Sequence, residues 1–484
     1  MLDSKSISSS LIWKFLERFS VQIIQFVVSI VIARILLPEE YGVMAILNIF
    51  ITICTTLVQS GLAQYLIQKD EIESSDYSTV LFSSLVIAMG LYLFLFILSP
   101  TVATYFDYRE LPKMLRILSL VLFITPFTSV QMAYVRRNML FHKMTYASLF
   151  AVVLSGICGV VSALYNAGTW SLIIQQLTYH ILTFIALSFI VRWRFPLCYN
   201  WISAKKSFSF GIKLLAADLI DKIYHSVVSI IIGRNFSKSI LAFFDRGKQF
   251  PLILIDNIDG SVQSVLYPAY ARLQDNQMEM KALLRRSIRM STYLSFVSMS
   301  ILFVLSKPLI YILLGARWMP CVPYMQAYCI ITMLFPFQTT LQQSYIALGK
   351  SHLYFYLILY KRLIGILLLS LIFFLSKTIV LIIAACFIIE ILAIIMTIVP
   401  ARKYLNYNLT ELINDVYRNI LISGIVILIG LILENYIVNY YSSFVINALC
   451  ATSVALILSF ITRNESFILI CGKMGLSQFF LRSK

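Results

Sequence analysis

The sequence predicts an all-α membrane protein with about fourteen transmembrane helices, and three observations lead to this fold class. First, 60% of the 484 residues are hydrophobic and 13% are charged, with a mean hydropathy of +0.86. Soluble proteins carry about a quarter charged residues. Second, apolar runs of about twenty residues, enough to cross about 30 Å of hydrocarbon, recur along the chain. Third, polar residues inside these runs repeat between the two halves of the sequence.

The predicted spans follow one another with no intervening stretch long enough for a separate soluble domain. They begin near Leu11, Tyr41, Tyr77, Met114, Thr145, Trp170, Ser207, Ser239, Arg289, Cys321, Leu353, Lys377, Arg418 and Ser443. The first run carries Lys14, Glu17 and Arg18 and lacks a small-residue cleavage site. We therefore expect a retained first helix rather than a cleaved signal peptide.

The formal net charge of +17 comes from 39 basic and 22 acidic residues. The basic residues concentrate in alternate connections, for example at Arg136, Arg137 and Lys143, at Arg192, Arg194, Lys205 and Lys206, and at Arg272, Lys281, Arg285 and Arg286. The other connections hold few of them. The positive-inside rule therefore predicts cytoplasmic termini and cytoplasmic even-numbered connections. The charge indicates membrane topology and not a nucleic-acid partner.

Two halves of the sequence repeat. A shift of 200 residues places Arg34 on Arg234, and it aligns Arg18, Gln22, Gln25 and Ser29 with Asp218, Lys222, His225 and Ser229. Each set follows the spacing of one helical face. A shift of 207 residues aligns Gln131 with Gln338 and Lys143 with Lys350. The repeat predicts a six-helix lobe in residues 1–200, a second in 201–405, and two extra helices with a cytoplasmic tail in 406–484.

Catalytic chemistry finds no support in the sequence. The eight cysteines and four histidines are scattered, without the spacing of a zinc, haem or redox site. The chain also lacks HExxH, P-loop and GxSxG motifs. We expect a protein that is not an enzyme and that needs no cofactor or metal.

Ionisable residues inside several spans are the candidate functional residues. A charge at the bilayer centre costs at least about 2.5 kcal/mol unless it faces protein or water. Local pairing of Asp218 with Lys222, or of Lys361 or Arg362 with Glu390, would explain some of them as structural ion pairs. The number of such positions favours a shared, water-filled cavity between the two lobes.

The basic residues of this predicted cavity favour an anionic or phosphorylated substrate, because arginine and lysine bind phosphate oxygens. The candidate substrate-binding residues are Lys14, Arg18, Gln22, Lys213, Lys222, Arg246, Lys248, Lys361 and Arg362. Buried carboxylates could instead take up a proton or bind Na⁺ to drive the cycle. The candidates for this coupling are Glu17, Asp218, Asp221, Asp256, Asp259 and Glu390.

Four short elements carry a resemblance to a known family. They are "LLPEEYG" at 36–42, "YPAYARLQ" at 267–274, "LLGARW" at 313–318 and "ALGK" at 347–350. They are similar to turns and helix ends of polysaccharide exporters in the multidrug/oligosaccharidyl-lipid/polysaccharide superfamily. The sequence looks closest to the Wzx-type branch of lipopolysaccharide and colanic-acid exporters, and the likeness covers nearly the whole chain.

The resemblance implies a V-shaped pair of lobes that flips an undecaprenyl-pyrophosphate-linked oligosaccharide across the bacterial inner membrane by alternating access. The substrate would belong to O-antigen, capsule or exopolysaccharide synthesis. The expected partners are the lipid-linked oligosaccharide and membrane lipids, with a polysaccharide polymerase or glycosyltransferases as candidates. A cation-coupled multidrug exporter and a flippase for the peptidoglycan lipid precursor are alternatives in the same superfamily. A membrane glycan polymerase is the alternative from a different class.

Overall fold

The computed structural model describes residues 4–59, 61–69, 71–191, 198–273, 276–375, 378–437 and 439–468. Within these ranges the chain is helical, and no β-strand occurs. It forms two compact units, Met1–Ala242 and Phe243–Lys484. The predicted all-α fold is confirmed.

The described residues of the first unit form nine helices. They are α1 (Ser4–Ile35), α2 (Pro38–Gln59), α3 (Leu62–Gln68), α4 (Ser74–Phe106), α5 (Leu111–Leu118), α6 (Val121–Arg137), α7 (Phe141–Leu164), α8 (Thr169–Val191) and α9 (Trp201–Asn235). In this unit α1 packs against α7, and α9 packs against α2, α3 and α4. The α1–α7 contact is close, because Cβ atoms added at Gly156 and Gly159 would approach Val28 and Ile32 to 2.6 and 3.0 Å.

The remaining helices begin with α10, whose first turn belongs to the first unit. They are α10 (Lys238–Arg272), α11 (Gln277–Leu314), a 3₁₀ helix (Ala316–Cys321), α12 (Val322–Thr332), α13 (Phe335–Ala347), α14 (Ser351–Leu375), α15 (Ile379–Leu405), α16 (Leu409–Glu434) and α17 (Tyr440–Ile461). In the second unit α11 packs against α12, α13, α16 and α17. Tyr270, Tyr345 and Tyr407 are fully buried in its core.

In the described residues, eleven helical segments are long and apolar enough to cross a membrane. The other three long helices, α1, α9 and α10, are those that carry most of the predicted intramembrane charges. The predicted count of about fourteen spans is therefore not confirmed. The eleven candidate segments and these three long helices together are nevertheless consistent with it. The predicted start of the twelfth span at Lys377 lies outside the described residues.

The helix boundaries follow the shift of 200 residues found in the sequence. Helix α1 ends at Ile35 and α9 at Asn235, while α2 begins at Pro38 and α10 at Lys238. The predicted ranges 1–200, 201–405 and 406–484 follow this repeat and stay a prediction. By compactness the chain divides at Ala242 instead, because α9 packs against helices of the first half.

Two of the family-like elements end helices through a glycine in the left-handed region. Gly315 of "LLGARW" follows α11 with a φ of 93°, and Gly349 of "ALGK" follows α13 with a φ of 71°. A residue with a Cβ would be strained at either position. The backbone conformation at these two helix ends therefore explains why both elements contain a glycine.

Candidate functional site

The predicted site residues on α1 are only partly described. The side chains of Lys14, Glu17 and Arg18 lie outside the described part of the structure, as does that of Lys213 on α9. Gln22 is half-buried. The roles assigned to these residues stay predictions.

Helix α9 presents Asp218 and Lys222 as exposed side chains. The local pairing considered from their spacing is absent from the ion pairs of the described residues. The i, i+4 pair on this helix instead joins Asp221 Oδ2 to His225 Nε2 at 3.8 Å. Lys222 is thus a cation on a membrane-length helix that has no ion-pair partner among the described residues.

The start of α9 is held to α4 by a buried carboxylate. Asp76 is 2% exposed; it accepts hydrogen bonds from Lys69 Nζ at 2.6 Å and from the Ser203 hydroxyl. Partial burial lowers the pKa of Lys69, but the hydrogen bond to Asp76 and the negative charges of Asp76 and its neighbours together outweigh this effect, and the net shift of the pKa is upward. The Asn200 side chain caps α9 by accepting from the backbone N–H groups of Ile202 and Ser203. These contacts fix the first turns of α9, the helix whose polar stripe consists of Asp218, Lys222, His225 and Ser229.

Helix α10 arranges its charges differently. Lys248 pairs with Asp245 and lies 5.0 Å from the Phe244 ring centre, and Arg246 Nη1 donates to Gln249 Oε1 at 2.9 Å. Asp256 is exposed. Asp259 is 7% exposed, and its Oδ1 atom has no hydrogen-bond donor in the described structure.

A buried ion pair joins α14 to α15 in the second unit. Lys361 Nζ lies 2.8 Å from Glu390 Oε2, and both atoms also bind Gln338 of α13, at 2.9 and 2.8 Å. The Lys361 and Glu390 side chains are 13% and 6% exposed. The interpretation of Lys361 and Glu390 as partners is therefore confirmed. Arg362, beside Lys361, is half-buried.

A second carboxylate network, which sequence reasoning missed, joins α11 to α16. Asp415 accepts two hydrogen bonds from Arg285, at 2.8 and 2.9 Å, pairs with Arg289 Nε at 3.0 Å and accepts from the Tyr407 hydroxyl at 3.0 Å. Burial raises the pKa of Tyr407, and the neighbouring Asp415 adds to the shift, so the phenol stays a donor. Glu411 pairs with Lys281 at 2.9 Å one turn earlier. Both acids lie before Arg418, the predicted start of the thirteenth span, and therefore outside the apolar runs that were searched for buried charges.

The start of α2 is packed tightly against the start of α10. A Cβ on Gly42, the last residue of "LLPEEYG", would lie 1.9 Å from the carbonyl oxygen of Lys238. Nearby, Arg234 Nη1 donates to the Tyr105 carbonyl at 2.6 Å, and Lys238 Nζ lies 4.1 Å from the Tyr108 ring centre. This end of the first unit therefore joins the turns before α2, α5 and α10.

These features define a polytopic, all-α membrane protein. The structure is similar to lipid II flippase MurJ in an inward closed conformation, with a TM-score of 0.74, 15% identity, and coverage of 94% of this chain and 99% of that one. It is also similar to an inward-facing multidrug resistance transporter of the MATE family, with a TM-score of 0.63, 14% identity, and coverage of 81% and 98%. At these identities the likeness shows the fold alone.

The sequence comparisons then give the family. Residues 31–323 match the family described as polysaccharide biosynthesis protein, and the chain belongs to this family. It is 24% identical over 319 residues to the succinoglycan biosynthesis transport protein ExoT of Rhizobium meliloti, covering 66% of this chain and 64% of that protein. It is 20% identical over 306 residues to the lipopolysaccharide biosynthesis protein WzxC of Escherichia coli, covering 63% and 62%. The matches thus span somewhat less than two thirds of these two relatives.

The comparisons confirm the predicted Wzx-type family and the multi-pass membrane protein. The binding and coupling roles of individual residues stay predictions, as does the wet, basic cavity.

Proposed function

We propose that this protein is a flippase that moves undecaprenyl-pyrophosphate-linked oligosaccharide repeat units across the bacterial inner membrane, for O-antigen, capsule or exopolysaccharide synthesis. The observation that carries the proposal is the concentration of ionisable residues on α1, α9 and α10. These three helices are long enough to span a membrane and yet carry many charges. The names of the relatives, which concern succinoglycan and lipopolysaccharide biosynthesis, support the substrate class.

The physical need for such a protein comes from the sugar. Moving a hydroxyl into hydrocarbon without a hydrogen bond costs about 2–7 kcal/mol, so an oligosaccharide cannot cross the bilayer core unaided. Polar side chains and water in a cavity replace the lost hydration while the hydrocarbon tail stays in lipid. A change in which side the cavity faces then completes the transfer. This cycle breaks no covalent bond, and we therefore propose a transporter and not a glycan polymerase.

We assign the pyrophosphate to basic residues, with Arg18 and Lys222 as the first candidates and Lys14 and Arg246 as further ones. Lys222 is the best supported, because it is exposed and has no ion-pair partner among the described residues. Lys361 is a less suitable pyrophosphate-binding residue, because its ammonium group already donates hydrogen bonds to Glu390 and Gln338.

For ion coupling we favour Asp259. Its carboxylate is nearly buried, and one oxygen receives no hydrogen bond from described residues, which leaves it an available site for a proton or Na⁺. Glu390 is equally buried but is paired with Lys361, and a paired carboxylate is a poorer coupling site. We expect both termini in the cytoplasm, from the positive-inside rule, and a polymerase or glycosyltransferase as a partner there.

The test is deletion of the gene followed by analysis of lipid-linked intermediates on both faces of the membrane. Completed repeat units should accumulate on the inner leaflet, and plasmid-borne protein should clear them. Arg18→Glu and Lys222→Glu should each fail to clear them, whereas Lys113→Glu, at an exposed lysine of α5, should succeed. Unpolymerised units on the outer face would instead indicate a polymerase, and drug sensitivity without lipid intermediates would indicate a drug exporter.

A further inference from the structure

An apolar cavity opens on the first unit beside the polar stripe of α9. Its volume is about 210 Å³, and its walls are leucine, isoleucine and phenylalanine side chains of α2, α3, α4 and α9. Helix α9 contributes Phe208, Ile212 and Leu215. Phe208 and Ile212 are 42% and 61% exposed, so the cavity is open along its α9 side.

The cavity has the size and chemistry to hold a piece of hydrocarbon chain. A protein cavity of about 150 Å³ with a comparable lining stays dry and binds benzene. The larger cavity here therefore has room for at least one branched, five-carbon isoprene unit. Among the described side chains, the walls offer no charged group that would favour a polar ligand.

The same face of α9 continues from apolar to polar. Phe208, Ile212 and Leu215 follow helical spacing, and Lys222 comes seven residues after Leu215, two turns along the same face. At about 1.5 Å per residue, the Lys222 backbone is roughly 10 Å beyond the last apolar wall residue. The extended lysine side chain can span part of that distance. An apolar groove with a cation next to it is complementary to a lipid phosphate.

The position of that cation distinguishes two kinds of lipid. Lys205, three residues before Phe208 at the start of α9, is also exposed, and a bulk phospholipid would place its phosphate there, near the membrane surface. Lys222 lies about 30 Å along α9 from Trp201. A lipid with its phosphate at Lys222 has a head group carried deep into the protein, as the substrate of a flippase must be.

We propose that this cavity binds the isoprenoid units nearest the pyrophosphate of the lipid-linked substrate, with the pyrophosphate at Lys222. This assignment rests on the proposed function and adds to it a tail-binding site on α2, α3, α4 and α9. The cavity holds the tail while the glycan follows the polar face of the same helix. Tail and head are thereby recognised by one helix.

The test uses the purified full-length protein in lipid nanodiscs and measures binding of undecaprenyl pyrophosphate by native mass spectrometry. Ile212→Trp fills the cavity from its exposed edge. It should weaken binding about tenfold, the effect of leaving two methylene-sized groups unburied, and should leave inorganic pyrophosphate binding unchanged. Val86→Trp, at a 73% exposed position of α4 outside the cavity, is the matched control and should bind as the wild type does.

The head-group arm compares two lysines. Lys222→Gln should weaken binding of both undecaprenyl pyrophosphate and inorganic pyrophosphate, while Lys205→Gln should weaken neither. Wild-type binding by Ile212→Trp would overturn the proposal. So would displacement of the ligand by phosphatidylglycerol together with sensitivity to Lys205→Gln, which would assign the cavity to bulk lipid.

The two proposals fail separately. If deletion causes lipid-linked units to accumulate but Ile212→Trp binds and exports normally, the tail site is refuted and the flippase stands. If the binding pattern holds but deletion causes no accumulation, the cavity is a lipid site and the flippase proposal is refuted.

Discussion

Replacement of Gly42 by alanine tests how tightly the start of α2 must pack against the start of α10. Gly42 lies in the second turn of α2, where its added Cβ would meet the Lys238 carbonyl oxygen at 1.9 Å. Ordinary contacts of this kind begin at 3.4 Å, so the two backbones must separate by 3.4 − 1.9 = 1.5 Å. The clash is with backbone, and a side-chain rotation cannot relieve it.

The separation has a consequence for the neighbouring contacts. Arg234 Nη1 donates to the Tyr105 carbonyl at 2.6 Å, and a movement of 1.5 Å along that direction gives 2.6 + 1.5 = 4.1 Å, too long for a hydrogen bond. Losing a hydrogen bond from a charged donor costs about 1.5–3 kcal/mol, while alanine gains about 1 kcal/mol in helix propensity. We expect Gly42→Ala to lower the free energy of unfolding by about 0.5–2 kcal/mol.

The assay is unfolding of the purified variant in detergent, alongside polysaccharide export in a deletion strain. Gly90→Ala is the matched control, because a Cβ at Gly90 in α4 meets no atom within 4 Å. The two substitutions should have opposite signs, since only the propensity gain applies at Gly90. Equal stability and export for both variants would refute the packing argument.

Further predictions concern the buried carboxylates. Glu390→Gln should lower the free energy of unfolding by about 3–5 kcal/mol, because Lys361 is left buried without its charge partner, and the double variant with Lys361→Gln should recover much of the loss in thermal unfolding. Asp415→Asn should destabilise the protein by about 1–3 kcal/mol. The control is Glu279→Gln, at an exposed position of α11, the helix that carries the arginine partners of Asp415. Equal midpoints of thermal unfolding for the two variants would count against the network. Asp259→Asn should leave stability nearly unchanged but remove the pH dependence of transport in proteoliposomes, and an unaltered pH profile would exclude Asp259 as the coupling site.

The spacing of apolar and polar residues was enough to predict most of the fold. The turns at residues 36–37 and 236–237 are 200 residues apart, as the alignment of Arg34 with Arg234 indicated. Hydropathy did not predict that the fourth and tenth spans are interrupted, at 119–120 and 333–334. A hydropathy window averages across such a break, because the residues on either side are equally apolar.

Ion-pair partners were predictable only where few choices existed. Glu390 and Lys361 lie in the middle of apolar spans, where a buried charge requires a partner, and they pair. In the middle of α9, spacing suggested Asp218 with Lys222, but both side chains are exposed, where water can satisfy a charge without a partner, and the described structure lacks the pair. Asp415 binds arginines that are 126 and 130 positions away in sequence, and local spacing contains no signal for such a contact.

The two halves also share a buried glutamine whose partners differ. Gln131 on α6 donates to the Ser188 hydroxyl on α8 at 2.7 Å, and the aligned Gln338 on α13 donates to Glu390 on α15 at 2.8 Å. In each half the glutamine joins the fourth predicted span to the sixth, so the contact belongs to the repeated scaffold. The first half makes this contact with a neutral hydroxyl, which means that the scaffold itself does not require a charge there. The carboxylate and its lysine are additions of the second half. If the double variant of Lys361 and Glu390 folds but does not transport, the pair has a functional role.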